Sequence, residues 1–424
     1  MSELSMIKEY LDKDYLDRNS KLNTIIERVS LSNSNKIFCL DGYWGSGKTI
    51  FVKQMEYLIK NIEEYCKYFP ESPDEILDSI KGTSVFYYNA WENDMLDAPV
   101  ISLIFQLAKT FKQDIQTEIT IRKKLVTLSG LLLKIATSGV LEKNDFKLTE
   151  ENIFDSITSA DNIKKQFNEL INCILEERYN KLIILIDELD RCKPSFAVRL
   201  LESVKHFYDN DKVVFVFSTN TEQLAYTIKK FYGEAFDGVL YLQRFFNNIF
   251  TLKSTNEEIK KYLSKKYSVV VNRIDIINEV INACINYFDF TLRECDQFVE
   301  NYKEFQALLY RRYSGKDDLF LHYIQVFSII LFSLKAKDLS EYRKFMHGNW
   351  NDFEKLLNNN IQILKNDNWF HDYLEIEVGK DLYIALNEAY TCLFSSLMLS
   401  CRLEQQNMFN YCQLQEMKDI SILF

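Results

Sequence analysis

The segment Gly42–Thr49 reads GYWGSGKT and fits the spacing G-x-x-x-x-G-K-[ST]. In this pattern the backbone N–H groups of a tight loop point at phosphate oxygens, and the glycines allow close approach. Lys48 can reach the β and γ phosphates, and the Thr49 hydroxyl can ligate Mg²⁺. The residues predicted to contact a nucleotide here are Gly42, Tyr43, Trp44, Gly45, Ser46, Gly47, Lys48, Thr49 and Ile50.

A pair of acidic residues follows an apolar run in the segment Leu182–Cys192, LIILIDELDRC. We expect Asp187 to hold Mg²⁺ through water, and Glu188 to orient and deprotonate the attacking water. Asp190 is a rival for the role of base. The competing interpretation is that these acids are solvated caps at the end of a buried strand. The phosphate loop upstream favours the catalytic interpretation.

A third polar group ends the next apolar run, VVFVFSTN, which places Ser218, Thr219 and Asn220 near the expected γ-phosphate. A polar side chain there can hydrogen bond the phosphate or the attacking water. We favour Asn220 for this sensing role. The alternative is that Asn220 is the N-cap of the following helix.

These groups need a sheet to position them, and five apolar runs supply candidate strands. The runs are Lys36–Asp41, Ser84–Asn89, Lys181–Asp187, Lys212–Ser218 and Asn247–Leu252. Helical periods lie between most of them, which predicts an α/β fold with a parallel sheet flanked by helices. The tandem acids favour the P-loop ATPase branch (ASCE type) that has an extra strand between the phosphate-loop strand and the acidic strand. Since no N-K-x-D guanine motif is present, ATP is the predicted nucleotide.

The domain boundaries follow from these patterns. We expect an N-terminal helix over 1–30, an ATPase core over 31–254, a helical lid over 255–310 and an α-helical C-terminal domain over 311–424. The core has a helical insertion at about 97–179. Within it Leu125–Leu141 is strongly apolar, but it is shorter than a membrane span and carries Lys134 midway. Soluble helical packing is therefore favoured over membrane contact.

The composition narrows the class of protein. The chain has 424 residues and a net charge of −10, which argues against bulk nucleic-acid binding. Its nine cysteines include no C-x-x-C pair and it has four histidines, so no zinc site is expected. The N-terminal stretch lacks an apolar signal core, and we expect a cytoplasmic protein.

Four segments together resemble the KAP family of P-loop NTPases, which is related to the STAND signalling ATPases. The family occurs in bacterial phage- and plasmid-exclusion proteins and in animal membrane scaffolds. The segments are GYWGSGKT, YYNAWEND (Tyr87–Asp94), IDELDRC (Ile186–Cys192) and YLQRFFNNIFTL (Tyr241–Leu252). The resemblance runs from about Ser30 to Tyr302. It implies an ATPase switch with ATP and Mg²⁺ as cofactors.

Some residues depart from the family pattern. Glu188 stands where the family has a second Asp, and Arg244 stands in place of its Lys, where it could act on a neighbouring subunit. Arg293 resembles a nucleotide-sensing arginine of the lid, although Leu292 replaces the usual Pro. Arg191 is expected either to face a neighbouring subunit or to pair with Asp187 or Asp190.

Two further positions of the family motif, Asn89 and Trp91, are left open between the nucleotide site and the core. The leading hypothesis is an ATP-hydrolysing molecular switch that forms a homo-oligomer and acts on a partner or effector encoded nearby. The resemblance implies a role in bacterial antiphage defence or a related conflict system. The alternative is a membrane-associated scaffold in which bound ATP is structural.

Overall fold

The computed structural model describes residues 2–32, 36–95, 99–111, 165, 167–175, 179–207, 210–271, 275–313 and 318–352, with 355–356, 384, 386–387 and 389–390. The apolar stretch Leu125–Leu141 lies outside the described residues. The chain divides into two units, Met1–Lys253 and Ser254–Phe424. The first unit contains all the described strands.

The first unit is built on a five-stranded parallel sheet of order β2-β3-β4-β1-β5. The strands are β1 Ile37–Asp41, β2 Thr83–Asn89, β3 Lys181–Asp187, β4 Val213–Thr219 and β5 Asn248–Thr251. Each lies within one residue of its predicted bounds, and the three central strands β1, β3 and β4 are almost completely buried, as their apolar runs predict. Strand β4 separates β1 from β3, which confirms the predicted ATPase-type order.

Helices cover both faces of this sheet. The described helices of the first unit are α1 Glu3–Lys13, α2 Asn19–Leu31, α3 Lys48–Lys60, α4 Ile62–Tyr68, α5 Asp74–Lys81, α6 Pro99–Phe111, α7 Pro194–Phe207, α8 Thr221–Tyr232 and α9 Gly238–Phe245. Buried residues of α1–α5 form one core cluster with alternate strand residues such as Phe38 and Leu40. Buried residues of α6–α9 form the other cluster with Cys39 and Phe217. The side of the sheet that packs on α1–α5 is called the α3 face below.

The N-terminal segment contains two helices where the sequence pattern predicted one. Between α1 and α2 the backbone of Asp14 and Asp17 is left-handed, with φ of 39° and 53°. The Asp14 carboxylate accepts hydrogen bonds from the backbone N–H groups of Arg18 (2.7 Å) and Asn19 (3.3 Å). An aspartate that captures the following N–H groups competes with helix continuation, which explains the break.

The second unit is helical where it is described. Its helices are α10 Asn256–Val271, α11 Asp275–Phe288, α12 Leu292–Tyr313, α13 Asp318–Lys337 and α14 Leu339–Met346. Helix α12 begins with a capping box, because Thr291 and Glu294 exchange side-chain hydrogen bonds with each other's backbone N–H groups. Among the described residues, every helix is too short or too polar to cross a membrane. The division between lid and C-terminal domain at 310 stays a prediction.

Gly238 allows helices α8 and α9 to approach each other closely. A Cβ at this position would lie 2.2 Å from the carbonyl oxygen of Ala225 in α8. We expect Gly238→Ala to lower the free energy of unfolding by about 1–3 kcal/mol, as overpacking does. Urea unfolding measures this. The control is Gly82→Ala, where the new Cβ would meet the Asn180 side chain at 3.1 Å. Equal effects of the two substitutions would contradict the close helix contact.

Candidate nucleotide-binding site

The loop between β1 and α3 has the backbone that phosphate binding requires. Gly45 and Gly47 are left-handed, with φ of 81° and 87°, a conformation that glycine adopts without steric cost. A Cβ on Gly42 would lie 2.7 Å from the Ser46 Oγ and 3.3 Å from the Leu252 carbonyl oxygen. The left-handed backbone therefore favours glycine at Gly45 and Gly47, and a side chain at Gly42 would crowd Ser46 and the end of β5.

The Lys48 ammonium is buried inside the loop. Its Nζ donates hydrogen bonds to the carbonyl oxygens of Gly42 (2.5 Å) and Tyr43 (3.1 Å). Burial lowers the pKa of Lys48, and the nearby carboxylates of Asp190 and Asp187 oppose that shift. The Lys48 ammonium can replace these carbonyl oxygens with phosphate oxygens without a large movement of its aliphatic side chain.

The N-terminal segment also contacts this loop, a feature that the sequence patterns did not indicate. The Arg18 guanidinium donates a hydrogen bond to the Ser46 carbonyl oxygen at 2.7 Å. The Lys21 ammonium donates to the Thr251 carbonyl oxygen at the end of β5. The start of α2 therefore fixes the loop and the neighbouring strand end.

Asp187 is fully buried at the carboxyl end of β3, and both of its oxygens accept hydrogen bonds. Oδ1 accepts from the backbone N–H of Glu188 (3.0 Å), and Oδ2 accepts from the Tyr87 hydroxyl (3.2 Å). Burial raises the pKa of Tyr87, and Asp187 adds to the shift, so Tyr87 stays a hydrogen-bond donor. The sequence interpretation missed Tyr87. The sequence did contain a signal for Tyr87: it lies two residues before Asn89 in the same strand, so both side chains are on one face of the sheet.

Glu188 follows Asp187 and has a left-handed backbone, with φ of 61°. This conformation is costly for a residue with a Cβ, and such residues concentrate at functional sites. The carboxylate forms an ion pair with Arg191 (3.2 Å), and the Asn89 amide lies 3.5 Å from its other oxygen. Burial raises the pKa of Glu188, while Arg191 opposes the shift. The predicted local pairing of Arg191 with Asp187 or Asp190 is therefore wrong, since its partner is Glu188.

Asp190 connects the phosphate loop to β4. Its Oδ1 accepts a hydrogen bond from the Thr219 hydroxyl at 2.9 Å, and its Oδ2 accepts one from the Trp44 indole N–H. The carboxylate is nearly buried, and each of its oxygens has a protein donor. This arrangement suits a structural role for Asp190 better than that of a base.

The match to known families can now be stated. A family model described as the KAP family P-loop domain matches residues 18–309, which is more than half of the chain. The chain belongs to the KAP family of P-loop NTPases. Members of P-loop families hold nucleotide phosphates on this loop, so the site of this KAP protein is a nucleotide-binding site.

Two solved structures are similar to this KAP protein at low identity. One is the Aeropyrum pernix ORC2 protein in ADPNP–ADP complexes, with 13% identity, a TM-score of 0.37 and coverage of 100% of this chain and 86% of that chain. The other is C. elegans PCH-2, with 12% identity, a TM-score of 0.27 and coverage of 76% and 67%. No curated protein matches the chain. The family model and the strand order carry the assignment.

The remaining predicted site residues of the KAP protein lie in different places. The Asn220 Oδ1 caps α8 by accepting from the backbone N–H groups of Glu222 and Gln223. This is the N-cap that the sequence left open, and the sensing role of Asn220 stays a prediction for its amide nitrogen. Trp91 is half exposed, and the Arg191 guanidinium lies 5.4 Å from the centre of its ring.

Two further arginines were predicted to belong to the site. Arg244 is exposed near the end of α9. Arg293 lies in the first turn of α12 in the second unit, and its sensing role stays a prediction.

The residues around Thr49 and Asp187 fit a hydrated Mg²⁺ ion. A hydroxyl and a carboxylate are the hard oxygen ligands that Mg²⁺ prefers, and the ion usually keeps several waters. Two buried hydroxyl oxygens, Ser46 Oγ in the loop and Ser218 Oγ in β4, have no hydrogen-bond partner among the described residues. Unsatisfied buried hydroxyls are costly, so their position at this end of the sheet suits a site that takes polar ligands.

Substitution of Lys48 tests the loop directly. We expect Lys48→Ala to weaken binding of a fluorescent ATP analogue, with Mg²⁺ present, by at least about tenfold, the value of one charge-assisted hydrogen bond. The matched control is Lys60→Ala at the other end of α3, where the lysine pairs with Glu56 on the surface. Unchanged affinity in Lys48→Ala would show that this loop does not hold the phosphates.

Proposed function

We propose that this KAP protein is a Mg²⁺-dependent ATPase that works as a molecular switch. The observation that carries the proposal is the pair Asp187–Glu188 at the carboxyl end of β3, on the same edge of the sheet as the phosphate loop and separated from its strand only by β4. A protein that only binds nucleotide needs the loop and a metal ligand, but it does not need a second, strained carboxylate beside them. The absence of an N-K-x-D motif from the sequence supports ATP over GTP.

The residues divide the chemistry between them. Loop N–H groups and the Lys48 ammonium bind the phosphates and offset their charge, and Thr49 with Asp187 holds the metal. Bound Mg²⁺ would supply further charge neutralisation at the transferred phosphoryl group. Glu188 takes the proton of the attacking water. Its raised pKa favours this role, because a base works best when its pKa approaches the operating pH.

The ion pair between Glu188 and Arg191 gives the switch a resting state. A carboxylate engaged by a guanidinium at 3.2 Å is a weaker base than a free one. Arg191 also lies over the half-exposed Trp91, so the three side chains form a small surface group beside the site. Release of Arg191 from Glu188 would activate the base.

Glu188→Gln separates binding from turnover. The amide keeps the size of the side chain and removes the base, so ATP affinity should stay within a few-fold while turnover falls by about 10²–10⁴-fold. Phosphate release and analogue titration measure the two quantities.

The paired control is Asp190→Asn, which changes the rival acid in the same way. Since Asp190 binds Trp44 and Thr219, we expect this variant to retain more turnover than Glu188→Gln. Normal turnover in Glu188→Gln together with loss in Asp190→Asn would assign the base to Asp190.

We propose that Arg244 acts on another subunit. It lines a cleft of about 480 Å³ with Ile37 and Asn247, which lie at the amino ends of β1 and β5. The phosphate loop follows the other end of β1, about 13 Å away at 3.3 Å per residue. The exposed Arg244 therefore lies by the end of the sheet opposite to the phosphate loop of its own chain. This placement supports a homo-oligomer in which Arg244 completes the site of a neighbour.

A trans arginine makes turnover depend on concentration. We expect turnover per subunit to rise with protein concentration, and Arg244→Ala to remove that rise, a loss of up to ~10³–10⁵-fold, with little change in ATP affinity. Mixing Arg244→Ala with Lys48→Ala should restore activity, because one chain supplies the site and the other the arginine.

The control for Arg244 is Lys229→Ala, a surface cation of α8 that pairs with Glu234. It should behave as wild type. Flat specific activity at all concentrations, together with full activity in Arg244→Ala, would remove the trans mechanism.

The cellular role that we propose is antiphage defence or a related conflict system, with output through a partner or effector encoded nearby. The resemblance to phage- and plasmid-exclusion proteins supports this role. The second candidate, a membrane-associated scaffold, is supported only by the scaffold members of the family. Flotation of the protein with lipid vesicles without ATP turnover would favour the scaffold, and turnover without flotation favours the switch.

A further inference from the structure

Ser218 is a buried polar residue to which the mechanism above gives no role. It lies near the carboxyl end of β4 and is fully buried. Its Oγ has no hydrogen-bond partner among the residues that the structure describes. A hydroxyl can donate one hydrogen bond and accept others, and leaving it unsatisfied in the interior is unfavourable. Such an atom next to a binding site points to a polar ligand.

The sheet register places Ser218 between the phosphate-loop strand and the acidic strand. It pairs with Leu40 of β1 on one side and with Asp187 of β3 on the other. Paired residues on neighbouring strands lie about 4.8 Å apart in the sheet. Ser218 is therefore adjacent to the residue proposed to hold the metal.

Strand alternation puts Ser218 and Asp187 on the same side. Val214 and Val216 of β4, like Ile183 and Leu185 of β3, pack in the cluster of the α3 face. Side chains two residues apart along a strand share a face. Ser218 and Asp187 continue these two series, so both belong to the α3 face, and helix α3 carries Thr49 in its first turn.

We propose that Ser218 is a positioning residue for the metal: its hydroxyl hydrogen bonds a water in the coordination shell of the divalent cation held by Thr49 and Asp187. The inference rests on the proposed Mg²⁺–nucleotide function. It differs from the predicted role of Asn220, because the oxygen of Asn220 caps α8. Mg²⁺ keeps several of its waters in protein sites, and outer-shell partners of this kind fix their orientation.

The proposal predicts a change in metal dependence without a loss of stability. In Ser218→Ala the affinity for a fluorescent ATP analogue in EDTA should equal that of wild type. The Mg²⁺ concentration that gives half of the Mg²⁺-dependent gain in affinity should rise by about 10–100-fold, the usual effect of removing an outer-shell partner. The melting temperature without nucleotide and metal should not fall, because the hydroxyl has no partner to lose in that state.

The chain offers a matched control. Ser30 in α2 is also fully buried and its Oγ also lacks a partner among the described residues, but it lies in the N-terminal helices. Ser30→Ala should leave both the melting temperature and the Mg²⁺ dependence unchanged. Ser218→Cys keeps the approximate volume with a weak hydrogen-bonding group, and it should repeat the Mg²⁺ effect if Ser218→Ala folds poorly.

The outcomes are distinct. A lower melting temperature of the free protein with unchanged Mg²⁺ dependence in both Ser218 variants would make the hydroxyl a structural group and overturn the proposal. Unchanged behaviour in every assay would overturn it as well. If the wild-type protein gains no affinity for the ATP analogue from Mg²⁺, the proposed Mg²⁺-dependent function itself fails. If the wild type and both Ser218 variants gain affinity at the same Mg²⁺ concentration, only the role of Ser218 is removed.

Discussion

The arrangement of the site depends on one electrostatic constraint, the burial of an ammonium among carboxylates at the end of a sheet. Lys48 and Asp187 are both buried, and neither charge is stable in an apolar interior alone. The carboxylates of Asp190, Asp187 and Asp41 act on the ammonium against the effect of burial. Loop carbonyls satisfy the remaining donors of Lys48. The phosphate loop can therefore adopt its compact form before any nucleotide binds.

The same constraint links the parts of the ATPase core. The buried carboxylates of Asp187 and Asp190 accept hydrogen bonds from side chains of other elements. A shift of one of these elements would leave a buried charge without its donor. Tyr87 of β2 reaches Asp187, while Trp44 of the loop and Thr219 of β4 reach Asp190. Binding of a polyanion at Lys48 changes the charge balance that these bonds stabilise. These hydrogen bonds connect the phosphate loop to β4 through Asp190, and Asp187 accepts a further one from the backbone N–H of Glu188.

Periodicity and spacing predicted the strands, their parallel order and the loop, because each depends on the local pattern of apolar residues and glycines. They did not predict Tyr87 as the donor to Asp187, or Glu188 as the partner of Arg191. Such contacts depend on the register between strands and on one left-handed residue, which local patterns do not specify. Asn220 shows the limit of prediction from sequence patterns. An asparagine at this position can serve either as an N-cap or as a phosphate sensor, so its residue type does not decide between the two roles.

The proposed action of Arg244 on a neighbouring copy would restrict how copies of this chain associate. The phosphate loop follows the carboxyl end of β1, whereas Arg244 lies by the cleft at its amino end. A contact that brings Arg244 of one copy to the loop of another joins two different surfaces. A head-to-tail contact of this kind leaves one free surface of each kind on the pair, so addition continues until a ring closes or a filament forms. A two-fold symmetric dimer satisfies both sites only if the copies pack side by side with their sheets antiparallel, because each loop then faces the Arg244 of the partner.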